Sequence, residues 1–163
     1  MSRSKAVKRM LCLALIAATL ILTAAPAFAA SKPNGAYVVK TNDGDRLIVH
    51  PKPSIVGEVT RLKSGTVVVY KSRKSGWWKI AYYGGYGYVD PAYLVSATSL
   101  PDAKFRSRKT LPVYAKSKSS SRVIGKLTTK MKVSIVAKKD SWVCVQRNGY
   151  TGWVSAKYLY RVK

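Results

Sequence analysis

From Ala36 onward the chain is written in short apolar runs rich in β-branched and aromatic residues, separated by Gly, Pro, Asn and Ser. No amphipathic helical period after residue 30 lasts longer than a turn. Trp142-Val143-Cys144-Val145-Gln146-Arg147 and Tyr150-Thr151-Gly152-Trp153-Val154 flank Asn148-Gly149, the dipeptide that most readily takes the left-handed angles of a two-residue turn. This predicts a β-hairpin. The device occurs earlier as Trp77 to Tyr83, then Gly84-Gly85, then Tyr86-Gly87-Tyr88-Val89. Trp77 and Trp142, Gly87 and Gly152, Val89 and Val154, and Leu94 and Leu159 are each separated by 65 residues. The segments Leu47 to Pro53 and Leu111 to Ser117 are offset by 64, so one single-residue indel relates two copies of a unit.

Strand side chains alternate between faces. Val68 and Tyr70 are therefore expected to share a core face with Val133 and Ile135. On the opposite face Val67 and Val69 stand where the second copy has Lys132 and Ser134. That apolar pair implies either a locally covered second face or a contact with the other unit or a partner. Residues 71–76 and 137–141 are basic segments expected as turns. Pro91-Ala92-Tyr93 and Ala156-Lys157-Tyr158 are expected as single 3₁₀ turns. Residues 30–35 form a short lead. The expected division is a leader over 1–29, a first domain over 30–95, a linker over 96–102 and a second domain over 103–163.

The leader has its own signature. Arg3, Lys5, Lys8 and Arg9 precede an apolar run from Met10 to Ala25, and Ala27-Phe28-Ala29 fits a signal-peptidase site. The run is short for spanning a bilayer and Pro26 breaks it, so a cleaved signal peptide and an exported, extracytoplasmic protein are expected, with no transmembrane span after cleavage. Cleavage leaves 134 residues and lowers the net charge from +24 to +20. Residues 30–95 carry +6 and residues 103–163 carry +15. So one-sided a charge attracts polyanions. Only Cys144 survives cleavage, so no disulfide within the mature chain can support domains this small.

An extended Leu-x-Val segment (Leu111-Pro112-Val113), then Ile124-Gly125-Lys126-Leu127, Trp142-Val143-Cys144-Val145, Gly152-Trp153-Val154 and Tyr158-Leu159, resembles the pattern of bacterial SH3-like domains. Leu47-Ile48-Val49, Trp77-Trp78-Lys79-Ile80, Gly87-Tyr88-Val89 and Tyr93-Leu94 match it again. The resemblance implies an all-β chain of two tandem small SH3-like β-barrels, of a family whose members are commonly exported and resemble modules that hold hydrolases or other proteins on peptidoglycan. Family members usually have Asn and Arg within the Leu-x-Val-x segment. Here those places are Ile48 and His50, then Pro112 and Tyr114, so no ligand contact is carried over to them.

The residues argue against catalysis. His50 and Cys144 fall in different units, and the sequence has no carboxylate cluster for glycoside chemistry and no set of metal ligands. No cofactor is expected. Binding fits better, because Tyr and Trp keep a polar handle and suit half-exposed surfaces. By strand parity Trp77 and Trp142 point away from the core, either covering a barrel edge or forming a platform for a sugar ring or peptide, with Tyr83, Tyr86 and Tyr150 beside them. Lys116, Lys118, Arg122 and Arg147 are the candidate contacts for carboxylates or phosphates. The expected partner is peptidoglycan or an anionic wall polymer. An extracellular protein taken as an extended peptide, or polyanions in general, are the alternatives, with nucleic acid disfavoured by export.

Overall fold

The computed structural model describes residues 33–42 and 44–163, so the leader expected over 1–29 lies outside the described residues. The described chain is all-β. In the N-terminal half the strands are β1 (Ala36–Val39), β2 (Arg46–Val49), β3 (Thr60–Lys63), β4 (Val67–Lys74), β5 (Trp77–Tyr82), β6 (Gly85–Val89) and β7 (Leu94–Ser96). In the C-terminal half they are β8 (Lys104–Ser107), β9 (Leu111–Tyr114), β10 (Val123–Leu127), β11 (Ser134–Lys139), β12 (Trp142–Arg147), β13 (Tyr150–Ser155) and β14 (Leu159–Val162). Pro91–Tyr93 and Ala156–Tyr158 are 3₁₀ turns, as their spacing predicts, and Ala97–Ser99 is a third.

Each half pairs a five-stranded sheet with a two-stranded one. The first has the order β6-β5-β4-β1-β7, and the β2-β3 pair joins it where His50 and Tyr88 exchange two backbone hydrogen bonds of 2.8 Å. The second has the order β10-β9-β13-β12-β11, and the β8-β14 pair joins it where Phe105 bridges Val133. The hairpin registers repeat. Ile80 opposes Gly87 and Trp78 opposes Val89, as Val145 opposes Gly152 and Val143 opposes Val154.

Alternation places the cores. Val39, Leu47, Val49, Leu62, Val68, Ile80, Tyr82 and Val89 fill the first half. Phe105, Leu111, Leu127, Val133, Ile135, Val143, Val145, Val154 and Leu159 fill the second, and this cluster runs on without a break into Ala36, Val38, Val67, Val69 and Ala81. These five are the outer face of the first half's sheet, where Ala36 opposes Val69 and Val38 opposes Val67. The apolar pair Val67 and Val69 is therefore a contact between the two halves. Each fully buried valine contributes about 1.5–3 kcal/mol, which helps stabilise a fold in which Cys144 is a free thiol. Backbone bonds add to the seam: Thr66 bridges Tyr160, and Arg161 N–H donates to Gly65 C=O at 2.7 Å. Residues Lys32–Lys163 accordingly form one compact unit. The segment expected as a linker takes part in it, with Ala97 buried and Leu100 packed on the shared cluster.

Three local expectations change. The basic segments are mostly strand: β4 runs on to Lys74 and turns only at Ser75-Gly76, and β11 runs to Lys139. A β-bulge between Tyr70 and Ser72, and another between Ile135 and Ala137, shifts the register of each strand before its basic end. In the second half the strand expected from Met131 begins at Ser134, and Val133 holds only an isolated bridge. The first hairpin pairs Tyr82 with Gly85, so its turn is Tyr83-Gly84. Asn148-Gly149 takes positive φ of 48° and 79°, as its sequence predicts.

Candidate functional site: an aromatic and cationic strip across the two halves

Along β12, Val143 and Val145 enter the core, which turns Trp142 and Cys144 to the other face. Cys144 opposes Trp153 on β13, and Trp153 opposes Tyr114 on β9, so Tyr114 joins the same face. Tyr114 meets Trp142 edge-on, with ring centres 5.3 Å apart at 86°. The indole is half-buried against this neighbour rather than free. The 3₁₀ turn after β13 brings Tyr158 alongside, and Lys109, Pro112, Tyr114, Trp142, Ser155 and Tyr158 line a recess of about 220 Å³.

Cations cluster on Tyr158. The Lys109 ammonium lies 4.3 Å and that of Lys157 5.3 Å from its ring centre. Tyr83 from the first half meets it edge-on at 5.7 Å. The Arg108 guanidinium is 5.7 Å from the Tyr83 ring and 5.2 Å from that of Tyr160. Tyr114, Trp142, Tyr158 and Tyr83 thus form a strip edged by Arg108, Lys109 and Lys157. Rings of this kind stack on sugar faces or peptide planes, and the cations reach carboxylate or phosphate oxygens.

The first half repeats the recess with different charge. A hollow of about 370 Å³ is lined by Asp45, Arg46, Ile48, His50, Ile55, Trp77, Asp90 and Tyr93 among others. Trp77 meets His50 edge-on at 5.1 Å, the counterpart of Trp142 on Tyr114. The His50 Nδ1–H donates to the Gly57 carbonyl at 2.6 Å, and the ring is buried. Asp90 accepts from the Ala92 N–H at 2.8 Å and so caps its 3₁₀ turn. Asp45 stands in the place of Lys109.

The residues expected to form one platform are separated. Tyr83 and Trp142 join the strip, while Trp77 belongs to the first half's hollow. Tyr86 is exposed on β6 opposite Ala81. Lys116, Lys118 and Arg122 are exposed on the β9–β10 loop, which Ala115 N–H to Arg122 C=O and Lys116 N–H to Ser121 Oγ close at 3.0 Å each. Arg147 and Tyr150 oppose each other at the tip of the β12–β13 hairpin. Five residues of strand, about 17 Å, separate them from Trp142, and they fall outside the strip. The sequence did not single out for binding Arg108, Lys109, Tyr114, Lys157 and Tyr158, which join this candidate site. The Tyr-Leu motif marked Tyr158, but its place beside Tyr83 depends on packing between the halves.

Other polar groups have evident local roles. Arg61 holds the Glu58 carboxyl below its ordinary value through hydrogen bonds of 2.9 and 3.0 Å, on an exposed surface. Burial pushes the Cys144 thiol up. Among the described residues no three His, Cys, Asp or Glu side chains come together as a metal site, and no helix is long and apolar enough to cross a membrane.

Known proteins resemble this chain over different lengths. YrvJ of Bacillus subtilis (strain 168), assigned by name as an N-acetylmuramoyl-L-alanine amidase, is 25% identical over 119 residues, or 64% of this chain. The chain spans only 22% of that relative's length. Among solved structures, NlpC2 from Trichomonas vaginalis is 12% identical with a TM-score of 0.39, covering 78% of this chain and 48% of that one. The CBD of endolysin LysPBC5 is 13% identical with a TM-score of 0.31, covering 79% of this chain and 94% of that one. The family model of the bacterial SH3 domain matches residues 109–160, from Lys109 at the recess to Tyr160 at the seam. Residues 109–160 of this chain are thus similar to the bacterial SH3 domain.

Proposed function

We propose that the protein is a non-catalytic binding module that works outside the cytoplasmic membrane and attaches to the cell wall, taking peptidoglycan or an anionic wall polymer on the strip. The observation that carries this reading is Tyr158, which has the ammonium groups of Lys109 and Lys157 near its ring, lines a recess with Trp142 and meets Tyr83 edge-on. An aromatic row beside cations fits a glycan that bears carboxylates or phosphates. The charge of +15 on residues 103–163 favours such a polymer over a neutral one. The relative named for an amidase of wall peptides is consistent with this setting. We further propose that residues 30–95 are a diverged copy of the module, since the hairpin registers and the Trp77 and Trp142 recesses correspond, with 96–102 joining it to residues 103–163.

The test is retention of residues 30–163 on washed wall sacculi in a salt series. Retention is expected at about 0.15 M salt. Trp142→Ala should weaken it roughly 30-fold, the effect of losing an aromatic anchor worth about 2 kcal/mol. No retention, or equal binding to DNA with a steep salt slope, would sink the reading.

A further inference from the structure

One pair of matching positions differs at the ends of the two hairpins. Tyr82, the last residue of β5, is 7% exposed, and a Cβ on Gly84 would stand 3.0 Å from its ring. Its counterpart 65 residues on is Arg147, which is exposed. Arg147 lines a groove of about 410 Å³ in the second half, large enough for a small ligand. Leu127, Met131, Val133 and Val145 are among its lining. At its rim Ile124 is 45% and Tyr150 is 83% exposed. Lys126 and Arg147 also line the groove, and Arg147 is shared with a neighbouring recess that holds Lys104 and Lys132. No acidic residue lines either one.

We propose that this groove is a binding site for an anionic lipid at a bilayer surface. An acyl segment lies along Met131, Val133 and Val145, Tyr150 and Ile124 sit at the boundary of hydrocarbon and headgroup, and Arg147 and Lys126 meet the phosphate. An aromatic and aliphatic rim set among cations has the composition of a surface that sits shallowly in a charged membrane. Val123, next to Ile124 in the chain, is also exposed, at 52%. The site lies at the opposite end of the β12–β13 hairpin from Trp142 and does not depend on wall binding.

The test is cosedimentation of residues 30–163 with vesicles of phosphatidylcholine alone or with roughly 30% phosphatidylglycerol, a composition chosen to give a negative surface. Binding is expected only to the anionic vesicles. Arg147→Gln removes one cation and should weaken it about fivefold. Arg147→Tyr removes the same charge but sets a tyrosine ring in the groove, and should weaken binding roughly another tenfold without lowering the melting temperature. Equal loss in the two variants, or equal binding to the uncharged vesicles, would overturn the proposal. Should Arg147→Tyr fold poorly, Tyr150→Ser replaces an exposed side chain with no change of charge. It should weaken anionic-vesicle binding about tenfold, and unchanged binding would count equally against the site.

Discussion

The Lys138 ammonium lies 4.0 Å from the centre of the Tyr37 ring, which joins a strand of the second half to the first strand of the chain. The same Nζ donates to the Ala36 carbonyl at 3.4 Å, and the stem lies so close to Gly35 that a Cβ there would stand 3.1 Å from it. Burial holds the Lys138 pKa below its ordinary 10.5. The unfolded chain therefore keeps this proton to higher pH than the folded one does. Stability from this group rises as pH climbs from the lowered folded value toward 10.5. Lys138→Met removes the dependence. Melting curves of the two proteins should diverge in favour of the native chain as pH rises toward 10.5, and a constant difference would contradict the assignment.

Because Val67 and Val69 belong to the cluster that fills the second half, the two halves should unfold together. Far-ultraviolet dichroism and tryptophan fluorescence of residues 30–163 are expected to report one coincident transition. Val69→Ala should lower stability by about 2 kcal/mol while leaving that transition single. Two resolved transitions in the native chain would show that the seam is not cooperative.

Gly87 and Gly152 hold the same place in the two hairpins. A Cβ at the first would fall on the Val49 side chain, and at the second on Val113. Gly152→Ala should cost about 1–3 kcal/mol through overpacking, measured by urea denaturation. Gly125, where a Cβ would meet nothing within 4 Å, is the control, and Gly125→Ala should stay within about 0.5 kcal/mol.

The Cys144 thiol is raised above 9.0 by burial, against a smaller opposing effect of its hydrogen bond with the Gly152 backbone. It should remain a thiol at neutral pH and alkylate with iodoacetamide far more slowly in the folded protein than in denaturant. Equal rates at pH 8 would place the side chain at the surface. The sign for stability follows: the unfolded chain ionises first, so this group favours folding less as pH rises past 9.0.

Much of the architecture was written locally. Apolar alternation, Asn148-Gly149 and the separation of 65 between matching residues specify hairpins and their repetition, because turn angles and strand faces depend on a few neighbouring residues. The outward placement of Trp142 and the inward placement of Val143 and Val145 followed from parity alone. Where the basic strands ended did not, since a bulge shifts the pairing by a residue and leaves little trace in composition.

The strip belongs to tertiary structure. Nothing near Tyr83 in sequence marks it as a neighbour of Tyr158 and Arg108, and the pair Val67 and Val69 could show only that something apolar covers it. What covers it is the other half, because burying that face removes more apolar surface from water than leaving two charged units apart. Sequence by itself determined the hairpins and the faces of their strands, while packing between the two halves decided which aromatics and cations meet.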